Sequence, residues 1–342
     1  MSFIFNRRLP TPEEMRQALP MPERLARLKA QRDGEIADVL TGKSDRFLVI
    51  IGPCSADNED ALCDYVSRLA AVNEKVKDRL ILIPRVYTNK PRTTGSGYKG
   101  IASQPNPEAG PDLCAGLTAM RRMHIHAIEA SGLTPADEML YPENWGYVED
   151  ILSYVAIGAR SVEDQQHRLT VSGFDVASGM KNPTSGDVTV MLNSVYAAQH
   201  PHSFTYRGCE VSTTGNPLAH TVLRGSVNAY GRNFPNYHYE DIIRLYELYE
   251  ERELSNPACV IDTNHSNSSK NFREQIRIAG EVMHNRRISR ENHALVKGLM
   301  IESYIEEGAQ KIGEHSYGRS ITDPCLGWAD SEKLIYSIAE QC

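Results

Sequence analysis

Two hydrophobic patterns alternate along the chain from Phe47 onward. Short runs of β-branched and other apolar residues are each followed by a longer stretch with apolar residues at helical spacing. This alternation is typical of repeated βα units around a parallel sheet. We predict eight strands, which end at Gly52, Val86, Leu140, Ala159, Met180, Tyr206, Asp262 and Ile301. The sequence therefore predicts an α/β fold, a (β/α)8 barrel of the TIM type.

The rest of the chain fits around these strands. Helices are predicted over residues 59–77, 113–130, 188–199, 239–254 and 272–285. Residues 1–44 are polar and helical in pattern, so we expect an N-terminal helical extension, with the catalytic barrel over residues 45–342. The segments 87–110 and 207–237 are long for barrel loops, and such loops are usually functional. The second contains the strand-like run HTVLRG, which indicates an inserted hairpin or extra strand.

Composition narrows the class of protein. A length of 342 residues suits one barrel with additions, and 41% hydrophobic residues can form a core. The net charge of -7 argues against a nucleic-acid partner. Neither an export signal nor an uninterrupted apolar run of about 18 residues is present, so we expect no membrane span. The seven cysteines form no CxxC pair, which fits a reducing compartment. We expect a cytoplasmic enzyme.

Candidate chemistry appears where the predicted strands end. Active sites of parallel barrels lie at the carboxyl ends of the strands. One set of residues at these ends combines a thiol, an imidazole and two carboxylates: Cys54, His265, Glu302 and Asp323. This mixture suits a borderline divalent cation such as Mn²⁺, Fe²⁺, Co²⁺ or Zn²⁺ and does not choose among them.

A second set at the strand ends is basic, although the chain as a whole is acidic. Its members are Arg85, Lys90, Arg92, Arg160, Lys181 and Arg224, with Glu138 at the third strand. Guanidinium and ammonium groups bind phosphate and carboxylate, so the set points to substrates that carry both. Taken singly, such a cysteine is usually a buried structural thiol and such an arginine a solvated charge. The joint placement on one barrel face favours the functional interpretation.

Eight motifs in chain order resemble the type I 3-deoxy-7-phosphoheptulonate (DAHP) synthases, from about residue 45 to the end. They are IGPCS, PRVYTNKPRTT, IGARSVEDQQHR, GMKNPTSGD, TTGNPLAHTVLRG, IDTNHSNSSK, GLMIESYIEEGAQ and YGRSITDPCLGW. The resemblance implies that Cys54, His265, Glu302 and Asp323 hold a divalent metal ion. It implies that phosphoenolpyruvate is bound by Arg85, Arg160, Lys181 and Arg224. It assigns erythrose 4-phosphate to the KPRT motif, which is Lys90, Pro91, Arg92 and Thr93, and Glu138 is counted with the substrate contacts.

The implied reaction is an aldol-type condensation of phosphoenolpyruvate with erythrose 4-phosphate. It releases phosphate and opens the shikimate pathway to the aromatic amino acids. The metal would act as a Lewis acid on the aldehyde oxygen. Cys54, His265 and Lys90 are the expected catalytic residues, with Lys90 as the proton donor to the developing alkoxide. A homodimer or homotetramer is expected in the manner of the family.

Departures from the family pattern concern regulation and the loops. TTGSGYKG is one residue longer than usual, and the stretch before TTGN is shorter. The feedback site of regulated members lies near Trp145 and Asp175, and these residues do not match its usual pattern. The sequence therefore does not assign an aromatic amino-acid effector among phenylalanine, tyrosine and tryptophan. Tyr141 stands where an acidic residue is common.

Two alternatives stay open at this point. One is a relative that uses another aldose phosphate. The other is a non-catalytic paralogue, which would be expected to have lost a ligand.

Overall fold

The computed structural model of the protein describes residues 2–92 and 94–342. Eight parallel strands form its central sheet: β1 Phe47–Gly52, β2 Leu80–Pro84, β3 Ala136–Glu138, β4 Tyr154–Ile157, β5 Ala177–Lys181, β6 Ala219–Leu223, β7 Cys259–Asp262 and β8 Val296–Glu302. Their order in the sheet is β2-β1-β8-β7-β6-β5-β4-β3. An isolated parallel bridge between Arg85 and Ala136 joins the two ends of this order, so the barrel is nearly closed.

The strands are apolar on both faces because both faces are covered. All six residues of β1 are buried. Leu48 and Ile50 pack inside the barrel, whereas Val49 and Ile51 pack in the layer beneath the helices. Continuous apolar runs are the usual signature of a parallel sheet that is buried on both sides.

The helices form the outer layer, and several begin at a capping side chain. Asn58 Oδ1 accepts the backbone N–H of Ala61 at 2.9 Å, and Asp112 caps the next long helix in the same way. The helices are α1 Pro12–Ala18, α2 Glu23–Leu40, α3 Glu59–Val76, α4 Leu113–Ser131, α5 Gln165–Val171, α6 Val188–Gln199, α7 Tyr239–Glu251, α8 Glu274–Ile288, α9 Arg290–Leu295 and α10 Trp328–Glu340, with a 3-10 turn at Pro142–Tyr147.

Helix α2 covers the amino-terminal end of the barrel. Its residues Ile36, Val39 and Leu40 pack in one cluster with interior residues of the strands. Arg32 donates a hydrogen bond of 2.6 Å to the carbonyl oxygen of Leu82. We propose that residues 1–44 are an extension that closes the barrel floor, with residues 45–342 as the catalytic unit.

The predicted sixth strand ending at Tyr206 is wrong as a barrel strand. Ser203–Tyr206 pairs antiparallel with Cys209–Ser212 in a separate hairpin. Its turn residues Arg207 and Gly208 both have positive φ, 50° and 76°, as a tight two-residue hairpin turn requires. The sixth barrel strand is instead β6, which overlaps the run HTVLRG that indicated an extra strand.

The segment after β6 forms a second small hairpin. Ser226–Val227 pairs antiparallel with Asn233–Phe234.

Within the described ranges, no helix combines the length and apolar character needed to cross a membrane.

Candidate active site

A cavity of about 370 Å³ opens at the carboxyl ends of the strands. Cys54 and His265, which come from different βα loops, line the same cavity. Thr93 lies outside the described residues. The other predicted site residues all line the cavity: Cys54, Arg85, Lys90, Pro91, Arg92, Glu138, Arg160, Lys181, Arg224, His265, Glu302 and Asp323.

A thiol and two carboxylates converge in this cavity. Cys54 Sγ lies 3.3 Å from Asp323 Oδ2. One ligand atom each from Cys54, Glu302 and Asp323 lie within 4.8 Å of one another. The carboxylate oxygen of Asp323 is a hard donor and the sulfur of Cys54 is a soft donor, a combination that suits a borderline divalent cation. These three residues therefore fit a metal ion.

Lys90 reaches into the same cluster. Its Nζ lies 2.6 Å from Cys54 Sγ and 2.8 Å from Asp323 Oδ2. Burial by itself would lower the pKa of Lys90, but the neighbouring Cys54 and Asp323 outweigh burial and raise that pKa. The ammonium group thus stays protonated, and its position shows that the cluster attracts positive charge. A metal ion held by the same atoms would require Lys90 to move aside.

His265 lies at the edge of this cluster. Its Nε2 is 4.0 Å from Glu302 Oε1, and its Nδ1 is 2.9 Å from Asp262 Oδ2. The backbone of His265 has a φ of 51°, which is uncommon for a residue with a side chain and costs about 1–3 kcal/mol. Strain of this kind concentrates at functional sites, and here it aims the imidazole at the cavity.

A buried ion pair forms the floor of the cavity. Arg85 Nη1 lies 2.7 Å from Glu302 Oε1, and both side chains are no more than 2% exposed. Burial alone would raise the pKa of Glu302, but the charges of Arg85 and His265 lower it below its usual value. Burial also raises the pKa of the Cys54 thiol to about 11, with Glu302 adding to the effect. Binding of a metal to this thiol would therefore release a proton.

The remaining cations surround the other side of the cavity. Lys181 Nζ lies 3.3 Å from Asp262 Oδ2 and 3.8 Å from Glu138 Oε2. Arg224 is 9% exposed, and its Nη1 lacks a hydrogen-bond partner among residues 2–92 and 94–342. Arg160 is exposed at the rim. A buried guanidinium without a partner next to further cations makes this side suited to a multiply charged anion.

Two glycines allow the site to form. A Cβ on Gly52, at the end of β1, would lie 2.3 Å from the carbonyl oxygen of Arg85. A Cβ on Gly158 would lie 2.7 Å from Glu138 Oε1. Neither distance is tolerable for real atoms, so the absence of side chains lets the strand ends approach and keeps the Glu138 carboxylate in place.

Sequence analysis missed several contributors. Asp262 is fully buried between His265 and Lys181. Burial alone would raise the pKa of Asp262, but the positive charges of His265 and Lys181 outweigh burial and lower that pKa. Asn264 donates a hydrogen bond of 2.5 Å to Glu302 Oε2. Lys270 and Tyr87 also line the cavity. The signal for Asp262 and Asn264 was available, because both stand in the IDTNHSNSSK motif that supplied His265.

Fold and site together define a class of protein: a barrel enzyme that brings small anionic substrates beside a cation-binding cluster. The sequence profile of the DAHP synthetase I family matches residues 21–335. The chain belongs to this family.

Known proteins with similar sequences match this chain along nearly its full length. A Tyr-sensitive phospho-2-dehydro-3-deoxyheptonate aldolase of Salmonella typhimurium is 35% identical over 339 residues, 96% of this chain and 92% of the relative. A Trp-sensitive enzyme of that name from Enterobacter agglomerans is 37% identical over 96% of this chain and 94% of its own. The solved phospho-2-dehydro-3-deoxyheptonate aldolase of Francisella tularensis superimposes with a TM-score of 0.91 at 30% identity and covers 100% of this chain and 98% of its own.

Proposed function

We propose that the cavity at the strand ends is the active site of a DAHP synthase. The protein condenses phosphoenolpyruvate with erythrose 4-phosphate and releases phosphate, the first step of the shikimate pathway. The observation that carries this function is family membership over residues 21–335, together with relatives of that activity along 96% of the chain.

The basic side of the cavity is proposed to hold phosphoenolpyruvate. Arg85, Arg160, Lys181 and Arg224 offer the charge that a phosphate and a carboxylate need. Three residues of the KPRT motif, Lys90, Pro91 and Arg92, line the same cavity. We assign erythrose 4-phosphate to this motif, including Thr93. Holding the two substrates side by side in this cavity would make their reaction effectively intramolecular. Such positioning supplies a large part of an enzyme's rate enhancement.

Lys90 is proposed as the proton donor. A lysine side chain is protonated at neutral pH, as a proton donor requires, and Lys90 lines the cavity beside Cys54 and Asp323. The enol carbon C3 of phosphoenolpyruvate attacks the aldehyde carbon, and Lys90 gives its proton to the oxygen that becomes an alkoxide. Water adds at the electron-deficient C2 of the phosphoenolpyruvate part and loses a proton, and the bond from C2 to the phosphate oxygen then breaks, so that the keto group forms as phosphate leaves. Arg and Lys side chains balance the charge of the phosphate before it leaves.

Cys54, His265, Glu302 and Asp323 are proposed as the metal ligands. A divalent ion bound there would polarise the aldehyde oxygen of erythrose 4-phosphate. Asn264 and Asp262 hold two of these ligands in orientation, as outer partners of metal ligands commonly do. The ligand set alone does not distinguish Mn²⁺, Fe²⁺, Co²⁺ and Zn²⁺.

Regulation by an aromatic amino acid is proposed from the names of the relatives, which include Tyr-, Trp- and Phe-sensitive enzymes at 35–37% identity. Because the three kinds are equally similar, the effector is not chosen by similarity. A homodimer or homotetramer and a cytoplasmic location stay predictions.

The test is phosphate release by the purified protein with both substrates, before and after chelation, and after each of the four metals is added back. We expect release that needs both substrates, falls on chelation and returns with metal. Arabinose 5-phosphate in place of erythrose 4-phosphate is the matched control. Faster turnover with arabinose 5-phosphate would favour the alternative aldose, and no turnover with any metal would favour the non-catalytic paralogue.

A further inference from the structure

Tyr87 lines the active-site cavity but is not among the residues assigned to a substrate or to the metal ion. It stands two positions after Arg85, just beyond the end of β2, and is 2% exposed. Within residues 2–92 and 94–342, its hydroxyl group finds only the sulfur atom of Met300 as a hydrogen-bond partner, at 3.5 Å. A thioether is a weak acceptor, so the strong contacts of this side chain must come from its aromatic ring.

The ring of Tyr87 contacts two buried cations of the active site. The Cζ atom of Arg85 lies over the ring at 3.9 Å from its centroid. The Nζ atom of Lys181 lies 5.8 Å from the same centroid. An aromatic face attracts a cation within about 6 Å of its centroid, and the attraction is strongest where water is excluded. Arg85 and Lys181 are each 2% exposed, so both contacts are of this strong kind.

This stacking leaves hydrogen-bond donors of Arg85 unused. In the described part of the chain, Nε has no hydrogen-bond partner, and Nη1 lies 2.7 Å from Glu302 Oε1 in a poor hydrogen-bond geometry. Nη2 reaches the carbonyl oxygen of Cys54 only at 3.5 Å, which is longer than a normal N–H···O bond. Native proteins rarely leave buried donors without partners. Arg85 lines the cavity, so an anion bound there is the partner that this guanidinium group lacks.

An aromatic ring stabilises a buried guanidinium group without accepting its N–H groups. A carboxylate at position 87 would neutralise Arg85 and compete with a substrate for the same donors. An aliphatic side chain would fill the space but would not attract the cation, and burial of a poorly compensated charge is costly. A ring is therefore the kind of side chain that keeps Arg85 both buried and free to bind an anion.

We propose that Tyr87 is a positioning residue for phosphoenolpyruvate, because its ring fixes the plane of the Arg85 guanidinium group and keeps the N–H donors of that group available to this substrate. Lys181, at its greater distance from the ring, is oriented more weakly. The proposal rests on the proposed function, since that function makes phosphoenolpyruvate the anion that Arg85 and Lys181 bind. It predicts an effect on this substrate and not on erythrose 4-phosphate, which is assigned to other residues.

The test replaces the ring in the full-length, metal-loaded protein and measures the dissociation constant of phosphoenolpyruvate by calorimetric titration without the aldose. Tyr87→Leu should weaken binding by about tenfold or more, because a cation–π contact shielded from water is lost. Tyr87→Phe keeps the ring and should bind within about twofold of the wild type. Fluorinated phenylalanines at position 87 keep the shape of the ring but withdraw electron density from its face, so binding should weaken with each added fluorine.

Steady-state kinetics and a matched variant separate positioning from packing. In Tyr87→Leu, KM for phosphoenolpyruvate should rise while KM for erythrose 4-phosphate changes little. Tyr249→Leu removes an equally buried ring from α7, at a residue outside the cavity lining. It should lower Tm and leave the binding of phosphoenolpyruvate unchanged.

Two results would overturn the positioning role. One is wild-type affinity for phosphoenolpyruvate in Tyr87→Leu, and the other is an absence of any trend in the fluorinated series. The fluorinated series decides alone if Tyr87→Leu does not fold. A wild-type protein that fails to bind phosphoenolpyruvate at all would be a different result, since it would contradict the proposed function itself.

Discussion

The carboxylate of Asp137 accepts hydrogen bonds from both the backbone N–H group, at 2.9 Å, and the hydroxyl group of Thr88. His124 Nε2 lies 3.1 Å from the same carboxylate, and all three residues are at most 3% exposed. Thr88 stands two positions before Lys90. This contact therefore anchors the start of the KPRT loop to β3, from which Glu138 enters the active site.

Asp137→Asn should loosen this loop. The amide replaces a charged acceptor with a donor facing Thr88, at a cost of about 1–3 kcal/mol. We expect KM for erythrose 4-phosphate to rise by about tenfold, KM for phosphoenolpyruvate to change little, and Tm to fall. Thr88→Ser keeps the hydroxyl group and should retain near-normal kinetics. Equal rises in both KM values would contradict the anchoring role.

Removal of the Cys54 thiol should remove the metal. We expect Cys54→Ala to lose bound metal by elemental analysis and to lower kcat/KM by about a thousandfold, since a Lewis acid supplies several kcal/mol. Cys63→Ala, at a half-exposed cysteine on α3, is the control and should keep both. Full metal content in Cys54→Ala would exclude this thiol as a necessary ligand.

Lys90→Ala tests proton donation. Loss of a general acid should reduce kcat by about a hundredfold to ten-thousandfold. The dissociation constant of phosphoenolpyruvate, measured by titration without the aldose, should stay within a few-fold of the wild type. Lys99→Ala in the same loop, at a residue outside the cavity lining, is the matched control. If Lys90→Ala altered only affinity, the acid role would be wrong.

Acid should destabilise the barrel through His220. This residue is buried between Tyr154 Oη at 2.8 Å and the carbonyl oxygen of Leu218 at 2.8 Å, and burial lowers its pKa from 6.5 to about 4. The unfolded chain then binds the extra proton more readily, so stability is full above pH 6.5 and is lost as pH falls towards 4. The loss is about 3 kcal/mol from this group.

The measurement is the free energy of unfolding between these pH values, with chelated protein to keep metal binding out of the comparison. His220→Gln should flatten the slope over this range. His126→Gln, at a half-exposed histidine on α4, should not. An unchanged slope in His220→Gln would assign the acid sensitivity to other groups.

Most of the barrel could be predicted because its strands are short apolar runs between helical patterns. The error at Ser203–Tyr206 has a physical cause. The sequence Ser-Phe-Thr-Tyr has a high propensity for the strand conformation and does form a strand, but its side chains alternate between exposed and half-buried, as in a surface hairpin and not in the barrel wall. In β6, by contrast, the polar His220 and Thr221 are buried because they find partners in Tyr154 and Ala258. Such partners cannot be predicted from the local sequence, because they lie far away along the chain.

The candidate site could be predicted to the extent that a reactive side chain follows the end of nearly every strand. Its finer structure depends on contacts across the barrel, such as the position of Asp262 between Lys181 and His265.

The thiol of Cys54 and the carboxylate of Asp323 are 269 positions apart along the chain. A ribosome must release almost the whole polypeptide before these two groups can meet. Bringing together two residues so far apart in the chain costs loop-closure entropy, which slows the formation of their contact. If these residues hold a metal ion as proposed, the complete ligand set exists only after the first and last strands of the barrel have met.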